Sequence, residues 1–278
     1  MLRVGIIQLN TGNHVGAAVD TAEVLIREAA TGGAKLVTTP ETTHLMEMNR
    51  TAVLEKAQYE ADDAGLKRFL ALARELGIWL HIGSLIIKIA DDKLANRAFM
   101  ISPEGDIRAR YDKLHLFDVD LPNGETYRES RLYQPGKSAV LVETPFGKIG
   151  LTICYDLRFP HLYCTLAAEG ASIIMVPAAF TVKTGEAHWH TLLRARAIET
   201  GAYVLAAAQT GKHATGRSTY GHSLAIDPWG QVMADAQDTC GDAPGVLLVD
   251  LDLAKVASTR LTMPSLKHKR PFGVTQFE

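Results

Sequence analysis

Cys154 ends an apolar run, Lys148-Ile149-Gly150-Leu151-Thr152-Ile153, and is followed at once by Tyr155-Asp156-Leu157-Arg158-Phe159-Pro160. A strand that carries a thiol to its tip and then turns into a helix presents that thiol at a rim. The backbone amides that follow point at any oxyanion formed beside it. A buried cysteine more often serves as a small hydrophobe, and Cys164 and Cys240 keep that reading. Cys164 lies in an expected helix over 162–169, and Cys240 in a polar turn beside Gly241 and Asp242. Cys154 differs in its company, because a thiol needs a neighbouring cation or base to react. Glu41 follows the apolar strand expected over 34–38, and Lys113 ends a strand that starts near Ile107. Three strand ends with one reactive group each are what a site at one edge of a sheet requires. Taken singly, a glutamate or lysine at a strand end is an ordinary surface residue.

The elements that must hold these groups are visible in the periodicity. Leu2 to Leu9 reads as a strand, and Val15, Ala18, Ala22, Leu25 and Ala29 recur at helical spacing. Leu66, Phe69, Leu70, Ala73 and Leu76 mark a second helix, closed by Gly77 as a left-handed stop. A strand follows over 78–87. Ser102-Pro103-Glu104-Gly105, Thr144-Pro145-Phe146-Gly147 and Asp227-Pro228-Trp229-Gly230 each place proline second and glycine fourth between apolar runs. That pattern predicts turns joining antiparallel strands. Alternating strands and helices mixed with hairpins give an α/β fold of mixed sheets with covering helices. With no Ser- or Gly-rich linker or repeat, the whole of 1–278 is expected to be one domain.

Composition narrows the class. The chain is 47% apolar and 22% charged with a formal net charge of −2, which gives no electrostatic reason to expect nucleic acid or a membrane surface as partner. Three widely spaced cysteines make no disulfide framework, and no Cys-x-x-Cys pair suggests a metal. The first residues run into a strand without a secretory pattern, and no apolar run reaches transmembrane length, so a reducing cytoplasmic setting is expected.

Pro40-Glu41, then Tyr111-Asp112-Lys113-Leu114-His115-Leu116-Phe117-Asp118, then Gly150-Leu151-Thr152-Ile153-Cys154-Tyr155-Asp156-Leu157-Arg158-Phe159-Pro160, in this order, resemble the nitrilase superfamily of carbon–nitrogen hydrolases. The likeness runs from Val4 to Pro271. It implies a four-layer αββα sandwich and a second glutamate between the lysine and the cysteine. That position falls on Glu129, with Glu125 nearby as a competitor. It also implies a homodimer or higher homo-oligomer, with helices over 159–169 and 190–200 as candidate contacts.

The chemistry that fits is amide hydrolysis through a thioester, which splits one difficult step into two. Cys154 would attack, Glu41 would move the protons, Lys113 and the Tyr155 N–H would hold the oxyanion, and Glu129 would orient Lys113 or assist deacylation. No metal or organic cofactor is called for, and no histidine has to act as base. Arg158 is either a carboxylate ligand or a structural ion-pair partner at the turn. Arg194, Arg196 and Glu199 read as a buried ion network, and His188-Trp189, before the helix over 190–200, as pocket wall or interface. Tyr155 and Phe180 are candidate lining residues.

The segments Ala206-Ala207-Ala208-Gln209-Thr210-Gly211-Lys212-His213 and Arg217-Ser218-Thr219-Tyr220-Gly221-His222-Ser223 resemble the Nit branch, and within it the deaminated-glutathione amidases. Lys212, His213 and Arg217 would then meet substrate carboxylates, unless that loop is only a solvated basic turn. An ω-amidase on 2-oxoglutaramate and an N-carbamoyl-amine hydrolase use the same groups. A true nitrilase fits the flanking sequence less well. An inactive partner protein is disfavoured by four competent side chains, and a thiol redox protein by the lack of a resolving cysteine at short spacing.

Overall fold

The computed structural model describes residues 1–120, 124 and 126–277; Glu125 lies outside them. Two mixed sheets carry the architecture. The first runs Gly245–Leu251, Leu2–Gln8, Leu36–Thr38, Trp79–Ala90, Lys93–Ile101, Ile107–Asp112, with Gln58–Tyr59 alongside Trp79–Ala90. The second runs Val232–Asp235, Leu224–Ile226, Tyr203–Ala206, Ala171–Met175, Gly147–Leu151, Val140–Thr144. Each has a parallel centre and antiparallel flanks.

Side-chain alternation along the strands builds the layers. Leu2, Val4 and Ile6 enter the core shared with the second sheet, while Ile7 and Leu9 face the opposite way. On that outer side lie helices α1 (Val15–Thr31) and α3 (Ala64–Leu76), with the short α2 (Arg50–Lys56) between them in sequence. α1 buries Ala18, Val19, Ala22, Leu25, Ile26 and Ala29, one stripe at helical period. Asp63 caps α3 by accepting from Leu66 N at 2.7 Å, and Gly77 ends it at φ 62°. Helices α4 (Pro160–Ala168) and α5 (Val182–Thr200) cover the second sheet through Leu162, Tyr163, Leu166, Trp189, Leu193 and Ala197. The short α6 (Ala236–Thr239) and α7 (Ala254–Thr262) complete the α-helices among the described residues. The layer order is helix, sheet, sheet, helix, the αββα sandwich expected.

All three predicted turns join antiparallel strands, and Gly105 N and Gly230 N donate back to Ser102 O and Asp227 O at 2.8 and 2.9 Å. Two expectations need correction. α5 begins at Val182, so His188-Trp189 lies in its second turn instead of before it; Thr181 caps it, and periodicity alone missed a first turn rich in polar residues. The reactive groups are not on one sheet. Glu41 and Lys113 follow strands of the first sheet, whereas Cys154 follows a strand of the second. Face-to-face packing of the two inner surfaces brings their ends together.

Candidate active site

The turn that presents Cys154 is strained and heavily held. Gly147–Leu151 ends the strand, and a 3₁₀ turn, Cys154–Arg158, leads into α4 with Pro160 in its first turn. Cys154 itself has φ 51°, a left-handed conformation that a residue with a Cβ adopts at a cost of order 1 kcal/mol. Its N–H donates to Pro177 O at 2.8 Å. Asp156, fully buried, accepts from Ile153 N (2.8 Å), His115 N (3.0 Å) and Tyr111 Oη (2.6 Å). One carboxylate therefore fastens the cysteine turn to the segment that carries Lys113. Arg196 of α5 donates to Leu157 O through Nε (3.0 Å) and Nη2 (2.8 Å) and pairs with Glu199 at 2.9 Å. Arg194 does not join that network: it donates to Gly230 O.

Around Cys154 the structure gathers Glu41, Lys113 and Glu129. Lys113 Nζ lies 2.9 Å from Glu41 Oε1 and 2.9 Å from Glu129 Oε2. Glu41 Oε2 accepts from Ala179 N at 3.0 Å, and the Glu41 carboxylate lies close enough to the Cys154 thiol for each to shift the other's protonation. Glu129 also accepts from Phe117 N at 2.6 Å. Glu41, Lys113 and Cys154 are all buried, with 4%, 2% and 8% exposure, so their charges act on one another with little screening.

The electrostatics follow from that burial. Burial pushes the Cys154 thiol well up, and the Glu41 carboxylate pushes it further; Lys113 and the Ala179 N–H pull less strongly the other way. The resting cysteine is thus a neutral thiol that needs a base at the moment of attack. Burial also works against ionised Glu41, but Lys113 and the hydrogen bonds outweigh it and hold the carboxyl below its ordinary value. Lys113 is raised well above 10.5 despite burial, because Glu129 and Glu41 flank it. The set is a carboxylate base, a fixed ammonium and a thiol in contact.

Sequence reasoning missed the residues that hold this set from a distance. Asn96 Nδ2 donates to Glu41 Oε1 (2.8 Å) and Glu129 Oε1 (3.3 Å), spanning both carboxylates. Gln209 Nε2 donates to Glu41 O (2.8 Å) and to Thr11 Oγ1 (2.7 Å). No local pattern marks Asn96, which sits mid-strand. Gln209 had a weak signal, as part of the segment that resembles the Nit branch.

Above the cluster opens a cavity of about 470 Å³. Tyr155, Arg158, Phe180 and Arg217 line it, as do Tyr133 and Phe117. No histidine lines it among the described residues. Arg158 has no carboxylate partner among the described residues. Its guanidinium lies against His188 Nδ1 (3.3 Å) and over the Tyr155 and Phe180 rings, so the expected structural ion pair gives way to an open cation at the wall. Trp189 supports that wall from behind, against Phe180 at 4.8 Å.

The basic loop divides. In the hairpin of Thr210–Lys212 with Ser218–Tyr220, Lys212 is opposite Ser218, and His213 N donates to Arg217 O. Neighbouring pairs face opposite sides. Arg217 turns inward, with Nη2 on Ala179 O at 2.5 Å and its guanidinium over Tyr127, while Lys212 is exposed and does not line the cavity. His213 is buried between Thr11 O and Thr219 Oγ1, and burial lowers its pKa. Neither Lys212 nor His213 is therefore placed to meet substrate. Cys164 and Cys240 lie outside the cavity.

Comparison with known proteins agrees with this geometry. The family model described as carbon–nitrogen hydrolase matches residues 3–261. A Yersinia enterocolitica protein named deaminated glutathione amidase is 40% identical over 96% of this chain and 92% of its own. The C. elegans NitFhit structure superposes with a TM-score of 0.90 and 36% identity, over 97% of this chain but 65% of that longer one. Saccharomyces cerevisiae Nit3, a nitrilase-superfamily member, superposes at 0.83 with 27% identity over 95% and 94% of the two chains. With sequence motifs, fold and family match in agreement, the chain belongs to the carbon–nitrogen hydrolase family.

Proposed function

We propose that this protein is a cysteine amidase that hydrolyses deaminated glutathione to 2-oxoglutarate and cysteinylglycine, acting as a single domain over 1–278. The observation that carries the reading is the contact set of Cys154, Glu41 and Lys113 at the floor of a cation-lined cavity. In this mechanism the Cys154 sulfur attacks the amide carbonyl carbon while Glu41 takes the thiol proton. The carbonyl oxygen becomes an oxyanion held by Lys113 Nζ and the Tyr155 N–H, each such donor worth roughly 3–4 kcal/mol. Collapse breaks the C–N bond as Glu41 passes the proton to the departing amine. Water, deprotonated by Glu41, then attacks the thioester and regenerates the thiol. Glu129 acts as a positioning residue, keeping Lys113 charged and aimed.

The substrate assignment draws on the relatives' names and on charge. Deaminated glutathione carries a carboxylate at each end, and Arg158 and Arg217 are two separated cations on the cavity wall. A free catalytic thiol suits a reducing compartment, and among the described residues no helix is long and apolar enough to cross a membrane. The test is a parallel measurement of kcat/KM for deaminated glutathione, 2-oxoglutaramate and an N-carbamoyl amino acid. Deaminated glutathione should lead. A tenfold lead by either of the others, about 1.4 kcal/mol, would reassign the substrate while leaving the cysteine chemistry intact.

A further inference from the structure

Among the described residues, three that are not glycine have positive φ: Thr42 (55°), Cys154 (51°) and His222 (56°). Thr42 follows Glu41 and Cys154 is the thiol itself, so two of the three strained positions border the chemistry. Strain of this kind persists only where the surroundings enforce it. His222 is enforced from two sides. Trp189 Nε1 donates to His222 O at 2.8 Å, and the Tyr220 ring stacks on the imidazole at 4.3 Å and 20°.

What that strain positions is a convergence of ligand atoms from three separate elements. His222 Nδ1 lies 3.0 Å from Asp235 Oδ2, and His190 Nε2 of α5 lies 2.9 Å from the same oxygen. The two rings meet at 5.0 Å and 78°. Asp235 is also fixed by Gln237 N, which donates to Oδ1 at 2.9 Å. None of the three residues lines the catalytic cavity.

We propose that His190, His222 and Asp235 form a binding site for a divalent transition-metal ion of the zinc class. Two imidazole nitrogens and one carboxylate are a common three-ligand set for zinc, with a water as fourth ligand. Ligand atoms about 2.0–2.1 Å from a tetrahedral ion stand roughly 3.3 Å apart, so the observed 2.9 and 3.0 Å separations need widen by only a few tenths of an ångström. His190 is 35% exposed, which leaves an entry path and room for the water. The nitrogen-rich set favours Zn²⁺, Ni²⁺ or Cu²⁺ over Mg²⁺ and Ca²⁺. The ion clamps α5 to the strand Val232–Asp235 and to His222, two residues beyond Ser218–Tyr220, behind the Phe180–Trp189 wall. Its role is structural.

The test uses the full-length protein after chelator treatment. Calorimetric titration with ZnCl₂ should give one equivalent bound, with no comparable binding of MgCl₂. His190→Ala, which alters a half-exposed helix position, should weaken the Zn²⁺ dissociation constant at least about tenfold while circular dichroism stays unchanged. Cu²⁺ loaded at one equivalent should show electron paramagnetic coupling to two imidazole nitrogens, a readout that needs no variant. Absence of Zn²⁺ binding, equal binding by His190→Ala, as a cysteine site would give, or a Cu²⁺ spectrum without nitrogen coupling each overturns the proposal.

Discussion

At the scale of residues, the surroundings of Cys154 favour a thiol over a preformed thiolate. Burial and Glu41 both raise it, and Lys113 is already engaged by Glu41 and Glu129. The thiolate absorbance difference between the wild type and Cys154→Ala should therefore stay flat from pH 6 past the ordinary thiol value of 9.0. A step at neutral pH would contradict the base role of Glu41. Cys154→Ala should retain less than about a hundredth of kcat with the fold intact, and Glu41→Gln should lose about 10²–10⁴-fold, as removal of a general base does. The pH dependence has a definite sign. Glu41 is depressed below its ordinary 4.5, so its stabilising contacts are complete above that pH and are lost as pH falls through the folded value. The acid limb of kcat/KM should accordingly lie below 4.5. At the cavity wall, Arg158→Gln should raise KM for a dianionic substrate by about 1.5–3 kcal/mol in binding free energy, while Lys212→Ala should leave it unchanged.

At the scale of elements, the site depends on how closely the strand ends approach. Gly83 lies at an irregularity in the Trp79–Ala90 strand, and a Cβ there would stand 2.0 Å from Thr39 O and 2.5 Å from Pro40 O. It would also meet Pro177 Cβ at 2.4 Å. The backbone that delivers Glu41 and the loop that receives the Cys154 N–H both press on this one glycine. Gly83→Ala should cost ~1–3 kcal/mol in denaturant unfolding, as overpacking does, and should lower kcat more than it raises KM, because it displaces Glu41. Equal stability would mean that the two loops can separate without consequence. The turn after Cys154 is held by two buried charges that reach far across the sequence, Asp156 to Tyr111 and Arg196 to Leu157. Arg158, four residues after the thiol, is left for the cavity.

At the scale of the whole molecule, the sandwich leaves apolar groups on the outside of its second helical layer. Ile198 of α5 is 52% exposed and Trp229 55%, and the residues after α7 carry Phe272, Val274 and Phe277 in the open. We propose that α4 and α5 pair with those of a second copy. Light scattering at micromolar concentration should give a dimer or larger, with an interface above ~1,000 Å²; a monomer would count against the pairing. A family likeness and a charge near neutrality were enough to expect a small-molecule enzyme, and both are properties of the chain as a string.

The sequence by itself determined the chemical groups and their local mounts. Glu41, Lys113 and Cys154 sit where a strand stops and a turn begins, and such junctions are written in neighbouring residues. The left-handed stop at Gly77 and the three proline–glycine turns were legible for the same reason. Only the tertiary structure decided which sheet each group belongs to, since two sheets with the same alternation are indistinguishable until they pack. It alone placed Asn96 across both glutamates, because a mid-strand asparagine acquires meaning from what the facing loops bring to it. It also separated Arg217 from Lys212: hairpin register assigns each residue to a face, and register is fixed by pairing, not by composition. The His190–His222–Asp235 cluster was invisible for the plainest reason, that its three members come from elements whose proximity exists only after folding.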